Sequence, residues 1–273
     1  MPEKPDPSEN PAFPDLGPGA LDRAVEMVHY LRKHCPWDAK QTPHTLIPHL
    51  LEETHEVVDA IRSGNPGALE GELGDLLLNL AFQIAIGEER KQLDRTSVSK
   101  HLEDKMVRRH PHLFGDGEKQ DWETLKHGER EAGTSVLSGL AEGLGPLLRA
   151  HRLQDRAAGV GFDWADVSGA WEKAREELDE VKDALDRGDP EHITEELGDM
   201  LFAVVNVVRL AGRHSDPVLD ESNRKFERRF RGVEALASER GLVLGEASLE
   251  ELDKLWDEVK AEEVAAKEAL ARE

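Results

Sequence analysis

The sequence carries one acidic pattern twice, and its carboxylates are the first candidates for chemistry. The first copy reads E-E-x-x-E from Glu52 to Glu56 and E-x-x-D from Glu72 to Asp75. The second copy repeats both parts, and 16 positions separate the two parts in each copy. Carboxylates in a repeated, fixed frame beside apolar residues are unlike the isolated E-x-x-E pairs of a solvated surface.

The apolar residues around each acidic part recur at spacings of three and four, which predicts helices. Residues three or four apart share a helix face, so Glu53 points with Glu56, and Glu72 with Asp75. Residues 63–67, S-G-N-P-G, are a turn signal that would make the two helices antiparallel. Four facing carboxylates repel one another unless a cation lies between them. An all-oxygen site of this kind suits Mg²⁺, or alternatively Mn²⁺.

Composition sets limits on the class of protein. The 273 residues carry a formal net charge of -22, so we expect no nucleic-acid partner and no membrane partner. A single cysteine, Cys35, excludes an intrachain disulfide. With no signal peptide and no long apolar run, we predict a cytoplasmic protein. The abundance of Leu, Ala, Glu, Lys and Arg predicts an all-α fold.

The second half of the chain repeats the plan of the first. Two cations four positions apart follow each acidic pattern, and a tryptophan follows the cations, which indicates an internal duplication. We therefore predict two tandem repeats of an α-helical bundle. The predicted boundaries are a flexible Pro-rich tail at 1–18, an N-terminal repeat at 19–132, a linker at 133–146 and a C-terminal repeat at 147–273.

A carboxylate-bound divalent cation beside a Lys/Arg helix face is a site for a polyphosphate. The metal bridges phosphate oxygens, arginine binds a phosphate bidentately, and tryptophan stacks on a base. The chemistry that follows is metal-assisted attack of water on phosphorus. The sequence has no Walker A loop and no Gly-rich kinase loop. Cys35 occurs in only one repeat and is not a plausible covalent nucleophile.

A di-iron centre is a competing interpretation, because such centres also place four carboxylates on a helical bundle. Such centres use Glu-x-x-His from two helices. Glu52 and His55 have that spacing, but the second repeat has Glu176 and Asp179 at the corresponding positions. Because the second repeat has no His at the corresponding position, the di-iron interpretation is disfavoured.

At this level of detail the sequence resembles the MazG family of nucleoside triphosphate pyrophosphohydrolases. The resemblance implies an all-α homodimer that hydrolyses NTPs and dNTPs to the monophosphate and pyrophosphate with Mg²⁺. It also implies that the C-terminal repeat is the active unit. The phrases that carry it, beside the acidic motif, are C-P-W-D at 35–38, R-R-H-P-H at 108–112, G-F-D-W at 161–164 and K-F-E-R-R-F at 225–230.

The same resemblance implies roles for individual residues. Glu176 would place the attacking water or a second ion. The implied metal ligands are Glu177, Glu180, Glu196 and Asp199, and the implied substrate-binding residues are Lys173, Lys225, Arg229 and Trp256. The corresponding residues of the first repeat are Glu53, Glu56, Glu72 and Asp75, with Lys105, Arg109 and Trp122. The first repeat has every residue of the acidic motif, so the sequence does not explain why that repeat would be inactive.

Three functional alternatives stay open at this point. One is a phosphatase that releases orthophosphate, and another is a non-catalytic nucleotide-binding or scaffolding protein. The third assigns activity to both repeats. No residue of the sequence marks a reader of the base edge, so base selectivity is not predicted.

Overall fold

A computed structural model describes residues 19–115 and 134–270. These residues form α-helices without a β-strand, so the predicted all-α fold is confirmed for the part of the chain they cover. None of the helices in these two ranges is long and apolar enough to cross a membrane. The predicted tail at 1–18 and Trp122 lie outside the described residues.

The chain divides into two compact units. In the first unit, α3 and α4 form a hairpin, and α1 packs against α4. Val25 and Val28 of α1 are buried against Phe82 and Ile86 of α4, which makes these two helices the core of the unit. The helices are α1 (Ala20–His34), α2 (Pro36–Lys40), α3 (Ile47–Ser63), α4 (Pro66–Glu89), α5 (Arg95–Arg109) and α6 (Pro111–Phe114).

The second unit has a corresponding hairpin. The helices are α7 (Pro146–Ala158), α8 (Val167–Arg187), α9 (Pro190–Leu210), α10 (Ser215–Glu239) and α11 (Leu249–Leu270). Helix α8 packs against α9, α7 packs against α9 and α10, and α11 packs against α10. The inner face of α8 is lined by small buried residues, Ala170, Ala174 and Ala184, which lets α9 approach closely.

Both hairpins are closed by the same turn chemistry. Gly64 and Gly188 end the first helix of each hairpin with φ of 66° and 72°, a left-handed conformation that glycine adopts without strain. The next residue caps the following helix. The side chain of Asn65 accepts a bond of 3.0 Å from a backbone N–H, and that of Asp189 accepts one of 3.1 Å. The predicted antiparallel arrangement of the acidic helices therefore has a local cause.

An ionic network fixes the first unit. The carboxylate of Glu88 on α4 accepts bonds of 2.8 and 2.9 Å from Arg95 on α5, and one Oε lies 2.7 Å from His29 on α1. The bonds from Arg95 lower the pKa of Glu88 to about 2. Three helices are thereby joined through one half-buried carboxylate.

Local signals set two helix boundaries in the first unit. Helix α5 begins at Arg95, because Asp94 caps it by accepting a bond of 2.8 Å from the backbone N–H of Ser97. The C-P-W-D phrase follows the end of α1, and its proline begins α2, because proline is well suited to the first helical position.

Candidate active site

The hairpin of α8 and α9 brings three predicted metal ligands together. Glu177 of α8 faces Glu196 and Asp199 of α9, and one oxygen from each lies within 4.8 Å of the others. Glu177 is buried, with 6% of its surface exposed. A buried carboxylate among like charges is stable only with a cation nearby, so the donor set fits a hard divalent ion.

Glu180 lies one turn beyond Glu177 and outside this tight group of three. Its pKa is raised, first by desolvation and then by the negative charges of Glu177 and Glu196. The fourth predicted ligand therefore shares the electrostatic field of the cluster, although it stands at the edge.

Lys173 supplies the positive charge at this cluster. Its Nζ lies 2.7 Å from an oxygen of Glu176 and 2.7 Å from an oxygen of Glu177. These contacts raise the pKa of Lys173, and the contact with Glu176 has the largest effect. The side chain is therefore fully protonated at neutral pH. Lys173 thus places a positive charge beside the predicted metal ligands.

His192 also lies beside the cluster, although the sequence pattern did not single it out. Nδ1 of His192 lies 3.4 Å from an oxygen of Glu196. The two residues are four apart on α9, so their helical spacing was a signal that could have revealed the contact.

The first unit contains a similar cluster. Glu53, Glu56 and Glu72 place oxygens within 4.8 Å of one another. The pKa of Glu53 is raised by burial first, and then by Asp75, Glu56 and Glu72. Among the described residues, Oε2 of Glu53 is buried without a hydrogen-bond partner. An orphaned carboxylate oxygen in an acidic cluster is the feature that a bound cation would satisfy.

The two clusters differ in their nearest cation. The position four residues before Glu177 is Lys173, whereas the position four residues before Glu53 is His49. Nδ1 of His49 lies 3.8 Å from Glu52. The first cluster thus has an imidazole where the second has an ammonium group, although the acidic residues of the two repeats match.

Arg229 and Trp256, both predicted to bind substrate, lie together on α10 and α11. The guanidinium carbon of Arg229 is 5.8 Å from the centre of the Trp256 ring, and its Nε donates to Glu263 at 2.9 Å. Within residues 134–270, the hydrogen bonds of Arg229 are to Glu263, and none joins it to the carboxylate cluster. Lys225 lies one turn before Arg229 on α10 and is exposed. The role of these three residues stays a prediction.

A groove runs along the acidic face of α8. It has a volume of about 560 Å³ and is lined by Trp164, Lys173, Glu176 and Glu180, among others. Trp164 packs closely against the backbone of α8 at Gly169, where an added β-carbon would lie only 2.5 Å from its ring. The groove therefore combines carboxylates, a lysine and an aromatic wall.

Paired acidic helices closed by a short turn, present twice, define an all-α protein with two carboxylate clusters suited to a divalent cation. The model of the MazG nucleotide pyrophosphohydrolase domain matches residues 41–114 and 170–233. The chain is 38% identical over 258 residues to a nucleoside triphosphate pyrophosphohydrolase of Escherichia coli K12, covering 89% of this chain and 98% of that protein. It is 40% identical over 246 residues to the nucleoside triphosphate pyrophosphohydrolase/pyrophosphatase MazG of Thermotoga maritima, covering 88% and 95%. The chain belongs to the MazG family.

Proposed function

We propose that this protein is a divalent-cation-dependent nucleoside triphosphate pyrophosphohydrolase that converts NTPs and dNTPs to the monophosphate and pyrophosphate. Family membership and the names of the relatives support the reaction. The observation that carries it to particular atoms is the cluster of Glu177, Glu196 and Asp199 with Lys173 in contact. Magnesium is the ion that we expect, with manganese as a substitute.

In this proposal Glu177, Glu196 and Asp199 would hold the ion, and Glu180 would add negative charge at its edge. A bound ion would offset phosphate charge and lower the pKa of water. Lys173 exchanges its contact with Glu177 for a phosphate oxygen of the substrate. Glu176 accepts a proton from the water that attacks the α-phosphorus, the bond between that phosphorus and the bridging oxygen to the β-phosphorus breaks, and pyrophosphate leaves.

The active form that we propose is a cytoplasmic homodimer, without a nucleic-acid or membrane partner. Leu178 and Leu185, seven apart on α8, are 56% and 57% exposed, and Leu197, Leu201 and Val204 form a similar exposed stripe on α9. Such stripes at helical spacing are suited to pairing with a second hairpin. A partner subunit would also complete the site, since the hydrogen bonds of Arg229 within residues 134–270 join it to Glu263 and not to the carboxylate cluster. A monomer in sedimentation experiments at micromolar concentration would contradict this proposal.

The reaction is tested with a panel of NTPs and dNTPs and Mg²⁺, with the products resolved, on the wild type, Glu177→Gln and Glu53→Gln. We expect monophosphate and pyrophosphate from the wild type. Glu177→Gln should lose at least about 100-fold in turnover, because removal of a direct metal ligand costs more than removal of an outer partner. Glu53→Gln is the matched control, because it makes the same change in the repeat that lacks the lysine.

Other outcomes support the alternatives. Orthophosphate as product would identify a phosphatase. Nucleotide binding without turnover would identify a binding module. Turnover that survives in Glu177→Gln and disappears in Glu53→Gln would place the chemistry in the first unit, and partial loss in each would assign activity to both repeats.

A further inference from the structure

A carboxylate of α11 bridges two consecutive arginines of α10. Oε1 of Glu263 accepts a bond of 2.8 Å from Nε of Arg228, and Oε2 accepts one of 2.9 Å from Nε of Arg229. Adjacent residues point in different directions from a helix, so consecutive arginines do not meet through their own spacing. Glu263 is therefore the group that brings them together, and its side chain is only 18% exposed.

Close packing of the two helices puts Glu263 within reach of the arginines. Gly232 of α10 lies against Val259 of α11, and a β-carbon at Gly232 would lie only 2.9 Å from a methyl group of that valine. Arg229 comes three positions before Gly232, and Glu263 comes four positions after Val259. Each charged residue thus lies about one helical turn from the same backbone contact, which fixes the distance between them.

A second ion pair at these helices offers a comparison. Nη1 of Arg240, the residue that follows α10, donates to Oε1 of Glu258 at 3.0 Å, and its Nη2 donates to Oε2. Arg229 instead binds Glu263 through Nε, and its Nη1 and Nη2 have no hydrogen-bond partner within the described part of the chain. The Nη1–Nη2 edge of Arg229 is therefore unused, and this edge suits two oxygens of a phosphate.

Trp256 holds the same guanidinium from a second side. The guanidinium carbon of Arg229 lies 5.8 Å from the centre of the Trp256 ring, a cation–π contact. The ring is itself packed against the buried core of α10 and α11 and lies 5.4 Å from the ring of Phe226. A planar group held at Nε and against a ring has little freedom to rotate. Less side-chain entropy is then lost when it binds a ligand.

The bridging carboxylate leaves this surface positively charged. The pKa of Glu263 is lowered by Arg228 and then by Arg229, so the carboxylate is ionised at neutral pH. One negative charge between two arginines keeps a net positive charge, and Lys225 lies one turn before Arg229 on α10. A polyphosphate is therefore attracted to this surface.

We propose that Glu263 is a positioning residue of the reaction, which holds Nε of Arg229 and thereby directs the Nη1–Nη2 edge of that arginine towards a phosphate group of the substrate. This inference rests on the proposed function for its ligand. Glu263 itself does not touch the substrate and acts only through Arg229. Its loss is therefore expected to weaken the binding of any polyphosphate, whatever the base.

Replacement of Glu263 by methionine tests the assignment. Methionine keeps the length of the side chain and a high helix propensity, and it removes both acceptor oxygens. Glu258→Met makes the same change in the other ion pair and is the matched control. Glu263→Gln keeps one acceptor oxygen and carries less risk to folding. Calorimetry would measure the binding of inorganic tripolyphosphate with Mg²⁺, and hydrolysis of the NTP panel would give KM and kcat.

We expect Glu263→Met to bind tripolyphosphate about tenfold more weakly, as the loss of one charge-assisted bond predicts. KM should rise by a similar factor for every NTP with kcat nearly unchanged, because a contact made both before and during the reaction acts on binding. Glu263→Gln should lose about threefold. Glu258→Met should change neither quantity, although it also removes an ion pair from the same helices.

An Arg229→Lys background separates positioning from a general effect on folding. Lysine keeps the charge but has neither Nε nor the Nη1–Nη2 edge, so Glu263 has no guanidinium to orient. In this background Glu263→Met should raise KM less than about twofold further, because the two residues act through one contact. An undiminished tenfold loss would overturn the inference, since Glu263 would then act independently of Arg229.

Two other results would overturn the inference. Tighter binding of tripolyphosphate by Glu263→Met would show that Glu263 competes with phosphate for Arg229. Equal losses in Glu263→Met and Glu258→Met would show that the ion pairs only hold the helices together.

The positioning role and the reaction can fail separately. If the wild type releases pyrophosphate from NTPs and Glu263→Met keeps its KM, the positioning role fails and the reaction stands. If Glu263→Met alone weakens tripolyphosphate binding and no nucleotide is hydrolysed by the wild type, the reaction fails and the positioning role stands. A wild type that neither binds tripolyphosphate nor hydrolyses NTPs would overturn both.

Discussion

Replacement of Glu53 by glutamine is expected to stabilise the metal-free protein while it abolishes the response of the first unit to metal. Oε2 of Glu53 is buried without a partner among the described residues, and its pKa is raised by burial and by Asp75, Glu56 and Glu72. Without an ion, the folded chain therefore holds a carboxylate in an unfavourable position. An amide of the same shape removes the charge and keeps the packing.

The geometry sets the size of this effect. Two unit charges 4.8 Å apart repel by about 3.5 kcal/mol at an effective dielectric constant of 20 and by about 0.9 kcal/mol in water. Glu56 is exposed, so each pair lies between these limits, and partial protonation relieves some of the repulsion. We expect Glu53→Gln to gain about 1–3 kcal/mol in EDTA, where each kcal/mol raises the unfolding temperature of a unit of this size by about 4 °C.

Thermal unfolding in EDTA and in Mg²⁺ would measure both parts of the prediction. Glu52→Gln is the control, since it makes the same change in net charge at an exposed position that contributes least to the raised pKa of Glu53. Glu177→Gln should gain less in EDTA than Glu53→Gln, because it also loses the 2.7 Å contact with Lys173.

Two results would refute this reasoning. A lower unfolding temperature for Glu53→Gln in EDTA would mean that the carboxylate has a stabilising partner. An increase with Mg²⁺ as large as that of the wild type, measured on the transition of the first unit, would mean that Glu53 does not help to bind the ion.

Two further predictions concern packing and charge. Glu88→Gln should destabilise the protein by about 2–3 kcal/mol at pH 7, because the pKa of Glu88 is lowered to about 2 by Arg95. This stabilisation is present above pH 4.5 and is lost as the pH falls from 4.5 towards 2, so in urea unfolding the difference between variant and wild type should shrink at pH 3. Gly169→Ala should displace Trp164, whose ring would lie 2.5 Å from the new β-carbon, and should raise KM for nucleotides about fivefold while it alters tryptophan emission. Gly71→Ala, whose β-carbon meets nothing within 4 Å, should change neither, and an unchanged KM for Gly169→Ala would show that Trp164 does not contact substrate.

The hairpins could be predicted from sequence because their causes are local. Spacing placed Glu53 with Glu56 on one face, and the turn at Gly64 followed from its glycine and proline neighbours. The meeting of the acidic faces follows from those two facts alone.

The membership of each tight cluster could not be predicted in the same way. The structure includes Glu56 with its neighbours in the first unit but leaves Glu180, at the corresponding position, outside the closest group in the second. Small differences in helix rotation and in side-chain rotamers decide which three oxygens meet, and matching letters carry no information about them.

The closeness of the ligands in sequence has a consequence for folding. Glu177 and Asp199 are 22 positions apart, with only one short turn between their helices. A helical hairpin forms from contacts near in sequence, so it is expected to assemble before contacts between distant segments such as α7 and α9. Because ligand binding favours the structure that contains the site, divalent cations present during synthesis would bind this hairpin and promote its early formation. The ion would then act first as an aid to folding and only later as part of the proposed active site.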